Sequence, residues 1–204
     1  MMRNVLFVLL LVAASYGLAF ASDGSEQGTV KQRLGQYLAQ QIGGLFDVWE
    51  KDQHYVTFSP QRQQIENKRD PDFSGSDLSI TADNIIVIKD FEVSNLRKIA
   101  ANRYVVEVKI HQVATTTGEG DLHRRILKNA GVKDIRYDMV LKSGRWMVLD
   151  PPPPLISISA IISFYEQYVA QMASFINKPK TSQPQKDQYK VYVDSLKTLK
   201  TIKD

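Results

Sequence analysis

Residues 133–150 read KDIRYDMVLKSGRWMVLD, and their apolar side chains recur with a period of two. Ile135, Tyr137, Met139 and Leu141 alternate with Arg136, Asp138 and Lys142, so an extended strand here has one apolar and one polar side. Ser143-Gly144 is a two-residue hairpin signal. It leads into a second strand, Trp146–Asp150, with Trp146 and Val148 on the apolar side. Such a hairpin belongs to an antiparallel sheet with one face packed and one face wet.

The same period extends backward. Arg103–Thr115 reads as a strand, with Tyr104, Val106, Val108 and Ile110 opposed to Glu107, Lys109 and His111. Asn84–Leu96 reads as another, joined to it by a turn near Ala101-Asn102. Between the second and third strands, Thr117-Gly118-Glu119-Gly120 opens a short insert, Asp121–Ala130, expected to be helical. Residues 60–77 are polar and carry Asp70-Pro71 and Ser74-Gly75-Ser76, which mark a loop with one helical turn around Gln61–Asn67. His54–Phe58 alternates like a short strand and stops at Ser59-Pro60.

Helical spacing flanks the sheet. Val30, Leu34, Tyr37, Leu38, Ile42, Leu45, Phe46 and Trp49 share one face of a helix expected over Val30–Trp49, with a bend at Gly43-Gly44. Pro151–Pro154 ends the sheet, because proline donates nothing to a ladder. The run reads as a stiff crossover, or as a polyproline ligand for an aromatic groove. Leu155–Ile176 returns to helical spacing. Asn177–Asp187 is a linker, and a lysine-rich stretch follows with Tyr189, Tyr192, Val193, Leu196, Leu199 and Ile202 on one face.

Residues 1–21 have the three parts of a secretory leader: Arg3, an apolar run from Val5 to Ala14, and Ala19-Phe20-Ala21 before the expected cut. The expected location is outside the cytoplasm, in a bacterial periplasm or secreted. The chain has no cysteine, which excludes disulfides, thiol chemistry and thiolate metal sites. Of the net charge of +4, residues 178–204 account for as much, with seven lysines against three aspartates. Residues 22–177 are close to neutral and offer no basic face, so nucleic acid is not an expected partner. The organisation expected is a leader (1–21), one α+β domain (28–177), and a linker with a basic amphipathic tail (178–204).

The pair Tyr137-Asp138-Met139-Val140-Leu141 and Gly144-Arg145-Trp146-Met147-Val148-Leu149-Asp150 resembles the ending of exported members of the nuclear transport factor two-like, or cystatin-like, superfamily. The resemblance covers roughly residues 30–150, mostly through pattern. It implies an α+β fold: a bent antiparallel sheet packed on an N-terminal helix as a cone, the tryptophan closing it, with a C-terminal helix and basic tail beyond. A narrower likeness is to periplasmic phospholipid-shuttling (toluene-tolerance) proteins, through Asp150, Ser157 and the helix over 155–176. Those proteins have an extended helical region before the sheet, where this chain has one clear helix.

If the cone is open, its lining is Tyr104, Val106, Val108, Tyr137, Met139 and Trp146, which suits a small apolar ligand or a partner segment. These positions offer two phenols and no carboxylate. Asp90 and Glu92 are the nearest acids, and a bulge would be needed to turn either inward. His54, His111 and His123 never stand three or four residues apart, so neither a metal site nor another cofactor is expected. Glu107, Lys109, Arg136 and Asp138 read as cross-strand ion pairs on the wet face. Arg124, Arg125 and Lys128 are candidates for receiving an anionic group, against the plainer reading of a solvated turn.

The reading is therefore a non-enzymatic exported binding module with a small apolar ligand or a protein partner. A lipid carrier, a scaffold using the sheet face and tail, and a cone-fold enzyme stand behind it in that order. Peripheral membrane contact through residues 186–204 and a homodimer are both compatible with the pattern.

Overall fold

The computed structural model describes residues 25–43, 54–69, 84–117, 125–176, 178 and 181–203. The leader, the expected helical positions Leu45, Phe46 and Trp49, and the candidates His123 and Arg124 lie outside the described residues. The fold is α+β, with a six-stranded curled sheet wrapped on one helix and backed at one end by a helical hairpin.

Helix α1 runs from Glu26 to Ile42. Ser25 starts it, its hydroxyl accepting a hydrogen bond from the Gly28 amide at 3.0 Å. Val30, Leu34, Tyr37, Leu38 and Ile42 form its buried stripe. Gly43 caps it. Then come β1 (Val56–Thr57), α2 (Pro60–Arg69), β2 (Asn84–Ala100), β3 (Arg103–Thr117), β4 (Arg125–Lys142), β5 (Arg145–Leu149), β6 (Leu155–Ser157), α3 (Ile158–Ala173) and α4 (Gln183–Lys203). The sheet order is β1-β5-β4-β3-β2-β6. The β2, β3, β4 and β5 pairs are antiparallel, while β1 on β5 and β6 on β2 are parallel.

Register alone requires the sheet to curl. Leu149 lies in one row with Asp138, Val105 and Arg97, whereas Leu155 pairs with Ile86 on β2. On a flat sheet those rows would be about 36 Å apart along the strands and the edges about 19 Å apart across them. The proline run joining Leu149 to Leu155 spans at most about 20 Å. The strands must therefore bend back on themselves. Breaks in the β2–β3 register at Val87/Ile88, Ile88/Phe91, Val93/Asn95 and Lys98/Ala100 are where the regular ladder yields. The run acts as the crossover, with the Ile86 amide donating to the Pro154 carbonyl at 2.9 Å.

Curling buries both faces at one end. Inside, α1 packs on Ile88, Tyr104, Val106, Val108, Ile110, Tyr137, Met139, Trp146 and Val148. Outside, Ile85, Val87, Ala114 and Ile156 meet α3 and α4 through Ile161, Ile162, Tyr165, Tyr192 and Leu199. Ser143 (φ 50°) and Gly144 (φ 75°) both take positive φ, the geometry a tight hairpin with right-handed strand twist needs.

Three elements differ from the sequence reading. Residues 125–130, assigned to a helical insert, are strand: Arg125–Lys128 pair with Thr117–Ala114 of β3, and β4 runs on to Lys142. No alternation announces this, because residues 127–134 are exposed on both faces. Residues 155–157 are not helix but β6, held parallel to β2. Ser157 begins α3, its hydroxyl accepting from the Ala160 amide at 3.1 Å. The single turn expected over Gln61–Asn67 is a ten-residue helix with Pro60 in its first turn. Ser59 accepts there from the Arg62 amide at 3.2 Å.

Candidate functional site

The six residues expected to line a cone cavity do come together on the inner face of the sheet, and all six are buried. Leu34, Tyr37 and Leu38 of α1 occupy the space they enclose. Tyr104 meets Trp146 edge-on at 5.3 Å, and Tyr137 meets Tyr37 at 6.4 Å and 73°. The two phenols differ in how their hydroxyls are satisfied. The Tyr104 hydroxyl donates to Glu26 Oε2 at 3.0 Å. The Tyr137 hydroxyl is buried with no hydrogen-bond partner, and burial pushes its pKa up.

Solvent instead enters a groove at the rim, between α1 and the β4–β5 hairpin. It holds about 540 Å³ and is lined by Thr29, Arg33, Gln40, His54, Tyr55, Gly144, Arg145 and Trp146. Arg33 is fixed there from three directions. Its Nε donates to the Trp146 carbonyl at 3.3 Å, another guanidinium nitrogen donates to the His54 carbonyl, and the plane lies 3.8 Å from the Tyr55 ring centroid. Arg145 projects exposed from the first position of β5 with no ion pair among the described residues. Gln40 Oε1 is a buried acceptor without a donor. Among the described residues no carboxylate belongs to this lining, and their formal charge is positive. Two guanidinium groups beside a tyrosine and a tryptophan suit an anionic group attached to an apolar or planar body. Sequence reasoning named Trp146 among these residues but missed the groove. Its parts come from three separate segments, and only the hairpin was a recognisable signal.

The candidate acids and bases face solvent. A β-bulge between Ile88 and Phe91 turns Phe91 toward the core and leaves Asp90 and Glu92 exposed. Asp90 contacts His111 Nδ1 across the strands, both side chains being half exposed. Of the expected ion pairs on the outer face, Glu107 and Arg136 are directly opposite in register, yet Arg136 bonds Asp138 at 3.3 Å instead. Asp138 also meets Arg103 at 3.2 Å, and Glu107 accepts from Asn95 at 3.2 Å. Lys128 is exposed on β4, which begins at Arg125. Among the described residues, no group of three histidine or acidic side chains is placed to hold a metal ion.

The basic tail is helix α4, folded back on α3 and β4. Tyr192 packs edge-on against Tyr165 at 5.1 Å, Gln188 donates to the Tyr168 hydroxyl at 3.0 Å, and Lys200 meets Glu166 at 2.8 Å. Its apolar stripe is thus turned onto its own domain, through Tyr192, Leu196, Leu199 and Ile202. Partial burial raises the pKa of Tyr168, which α4 meets through Tyr192 and Gln188. No described helix is long and apolar enough to cross a membrane.

No protein-family model matches the chain, and no curated protein matches it. Three solved structures are similar over part of it. One is the intermembrane-space region of the chloroplast protein ARC6, at 9% identity and TM-score 0.34 over 62% of this chain and 94% of that one. Another is an Ntf2-like protein involved in plasmid conjugation, at 12% identity and TM-score 0.28, over 60% of this chain and 48% of that one. A third is an NTF-2-like protein of unknown function from Shewanella oneidensis MR-1, at 10% identity and TM-score 0.24, over 62% and 98%. Two of the three carry the name of the superfamily that the hairpin motif resembles. TM-scores this low carry no argument, and the α+β architecture rests on the geometry above.

Proposed function

We propose that this protein is an exported, non-enzymatic binding module that takes its partner in the rim groove rather than inside the cone. The observation that carries the proposal is the placement of Arg33. Its guanidinium is held by two backbone carbonyls and an aromatic face at the wall of an open volume to which no described residue brings a carboxylate. A cation fixed in this way loses little freedom when an anion arrives. Arg145 supplies a second, exposed donor, and Tyr55 and Trp146 supply an apolar floor. The partner that fits is a segment carrying a carboxylate or phosphate next to an apolar side chain. Export rests on the leader pattern of residues 1–21.

The test is anisotropy of labelled peptides that place glutamate beside phenylalanine, with lysine-for-glutamate versions as controls. The acidic set should bind in a salt-dependent manner and lose affinity with Arg145→Glu. Binding that ignores both the peptide charge and Arg145 would refute the reading. Mass spectrometry of an organic extract of the protein addresses the alternative of carriage within the cone. A stoichiometric apolar molecule there would require α1 to move off Tyr104, Tyr137 and Met139.

A further inference from the structure

Strand β4 has an open edge. Along one side it pairs with β3 from Arg125 to Val140. Along the other, β5 covers only Asp138–Lys142. Among the described residues no strand pairs with the second side from Arg125 to Tyr137, a stretch whose midpoint is Gly131. Residues 127–134 are all exposed, including Leu127 at 49% and Val132 at 59%. Helix α4 meets this region through the outer face at Ile126. A long edge of unpaired amides and carbonyls is a template for another strand.

The opposite edge is guarded. Beyond Ile88, β2 is also uncovered by β6, but its ladder is broken by repeated register shifts that spoil its regularity. The ladder between β3 and β4 shifts once, where Asn129 and Ala130 of β4 stand against Val113 alone, and on either side of that one shift β4 pairs in unbroken register.

We propose that β4 is a self-association surface, on which the edges of two copies of this chain pair antiparallel about a two-fold axis at Gly131. A two-fold axis perpendicular to the sheet pairs residues symmetrically about its centre and keeps the inner faces of both copies on one side. Centred on Gly131, the pairing uses the whole open stretch. It places Lys128 opposite Asp134 twice, once on each side of the axis, and Leu127 opposite Ile135 twice. Neither Lys128 nor Asp134 has an ion partner among the described residues. Leu127 then extends the inner apolar surface to which the half-buried Ile135 already belongs. At the axis, Gly131 brings no side chain, and no described atom lies within 4 Å of where its Cβ would be. Neighbouring registers are worse. Centring on Val132 opposes Lys128 to Arg136, and centring on Asp134 opposes that aspartate to itself. Centring on Lys133 opposes Lys128 to Asp138, which β5 and two arginines already occupy.

Sedimentation of the exported full chain over a concentration series, with circular dichroism of each variant, tests this. The wild type should be a reversible dimer. Lys128→Asp and Asp134→Lys should each weaken dimerisation by roughly tenfold or more, because like charges then face each other at both symmetric positions. The double variant Lys128→Asp/Asp134→Lys should restore it. Both residues are exposed, so the fold should survive every substitution. A wild-type monomer at all concentrations would overturn the proposal. So would a dimer indifferent to the single reversals, or a double variant that stays as weak as the singles.

Discussion

Asp150 and Ser59 are 91 residues apart in sequence, and the Asp150 carboxylate accepts a hydrogen bond from the Ser59 amide at 2.8 Å. The Asp150 amide in turn donates to the Thr57 carbonyl at 2.9 Å. Asp150 holds φ at 46°, a left-handed conformation that aspartate tolerates better than most residues. The last residue of the hairpin motif is therefore a clasp between β5 and the segment entering α2. Asp150→Ala should lose about 1–3 kcal/mol, from the carboxylate bond and the less tolerant backbone. Asp150→Asn, which keeps an acceptor and the tolerance, should lose less. Urea midpoints of the two variants check this, and equal losses would assign the effect to something other than the bond.

Buried polar atoms without partners predict gains. The Tyr137 hydroxyl and both polar atoms of the Gln112 side chain are buried and unpaired. Tyr137→Phe should leave stability unchanged or raise it by up to about 1 kcal/mol, because it removes a desolvated group that makes no bond. Gln112→Leu should behave the same way on β3. Thermal unfolding of each variant reads this directly. A clear drop for Tyr137→Phe would mean that its hydroxyl does find a partner in solution.

The Glu26 carboxyl has a lowered pKa because it accepts hydrogen bonds from Lys98 and then from Tyr104. The same contact with Glu26 raises the pKa of Lys98. A carboxyl whose folded pKa is depressed contributes above its unfolded value and loses that contribution as pH falls through the folded value. Wild-type stability should therefore decline below about the ordinary 4.5 of the free group, and Glu26→Gln should flatten that part of the decline. Both side chains are exposed, so the effect should be small and reduced by salt. Parallel acid titrations of wild type and variant measure it.

Arg33 and Arg145 line the same groove but should separate in a stability measurement. Arg33→Lys removes a planar group that bonds two carbonyls and stacks on Tyr55, and should cost about 1–2 kcal/mol. Arg145→Ala, on an exposed side chain with no ion partner among the described residues, should fall within about 0.5 kcal/mol of wild type. Chemical denaturation distinguishes them, and comparable losses would show that Arg145 is also structural.

From sequence alone, the period-two runs of β2, β3 and the second half of β4 were legible, as were the Ser143-Gly144 turn and the buried stripe of α1. Each of these segments has one face in the core and one in water, and that asymmetry is what alternation records. Where the asymmetry fails, the pattern is silent. Ile85 to Ile88 are apolar in succession because α1 covers one face and the α3–α4 hairpin the other. Residues 127–134 are wet on both faces, so a strand looked like an insert.

Sequence by itself determined the class of fold, the side chains of the inner face and the hairpin that closes it, since these depend on local spacing and on which residues avoid water. Tertiary structure alone decided the rest. The short proline crossover forces the sheet to curl, α1 fills the cone, and the rim groove gathers Arg33, Tyr55, Arg145 and Trp146 from segments that share no local signal. The physical reason is that periodicity reports how one segment meets solvent, whereas a cavity, a groove or an open edge is set by where distant segments end relative to one another.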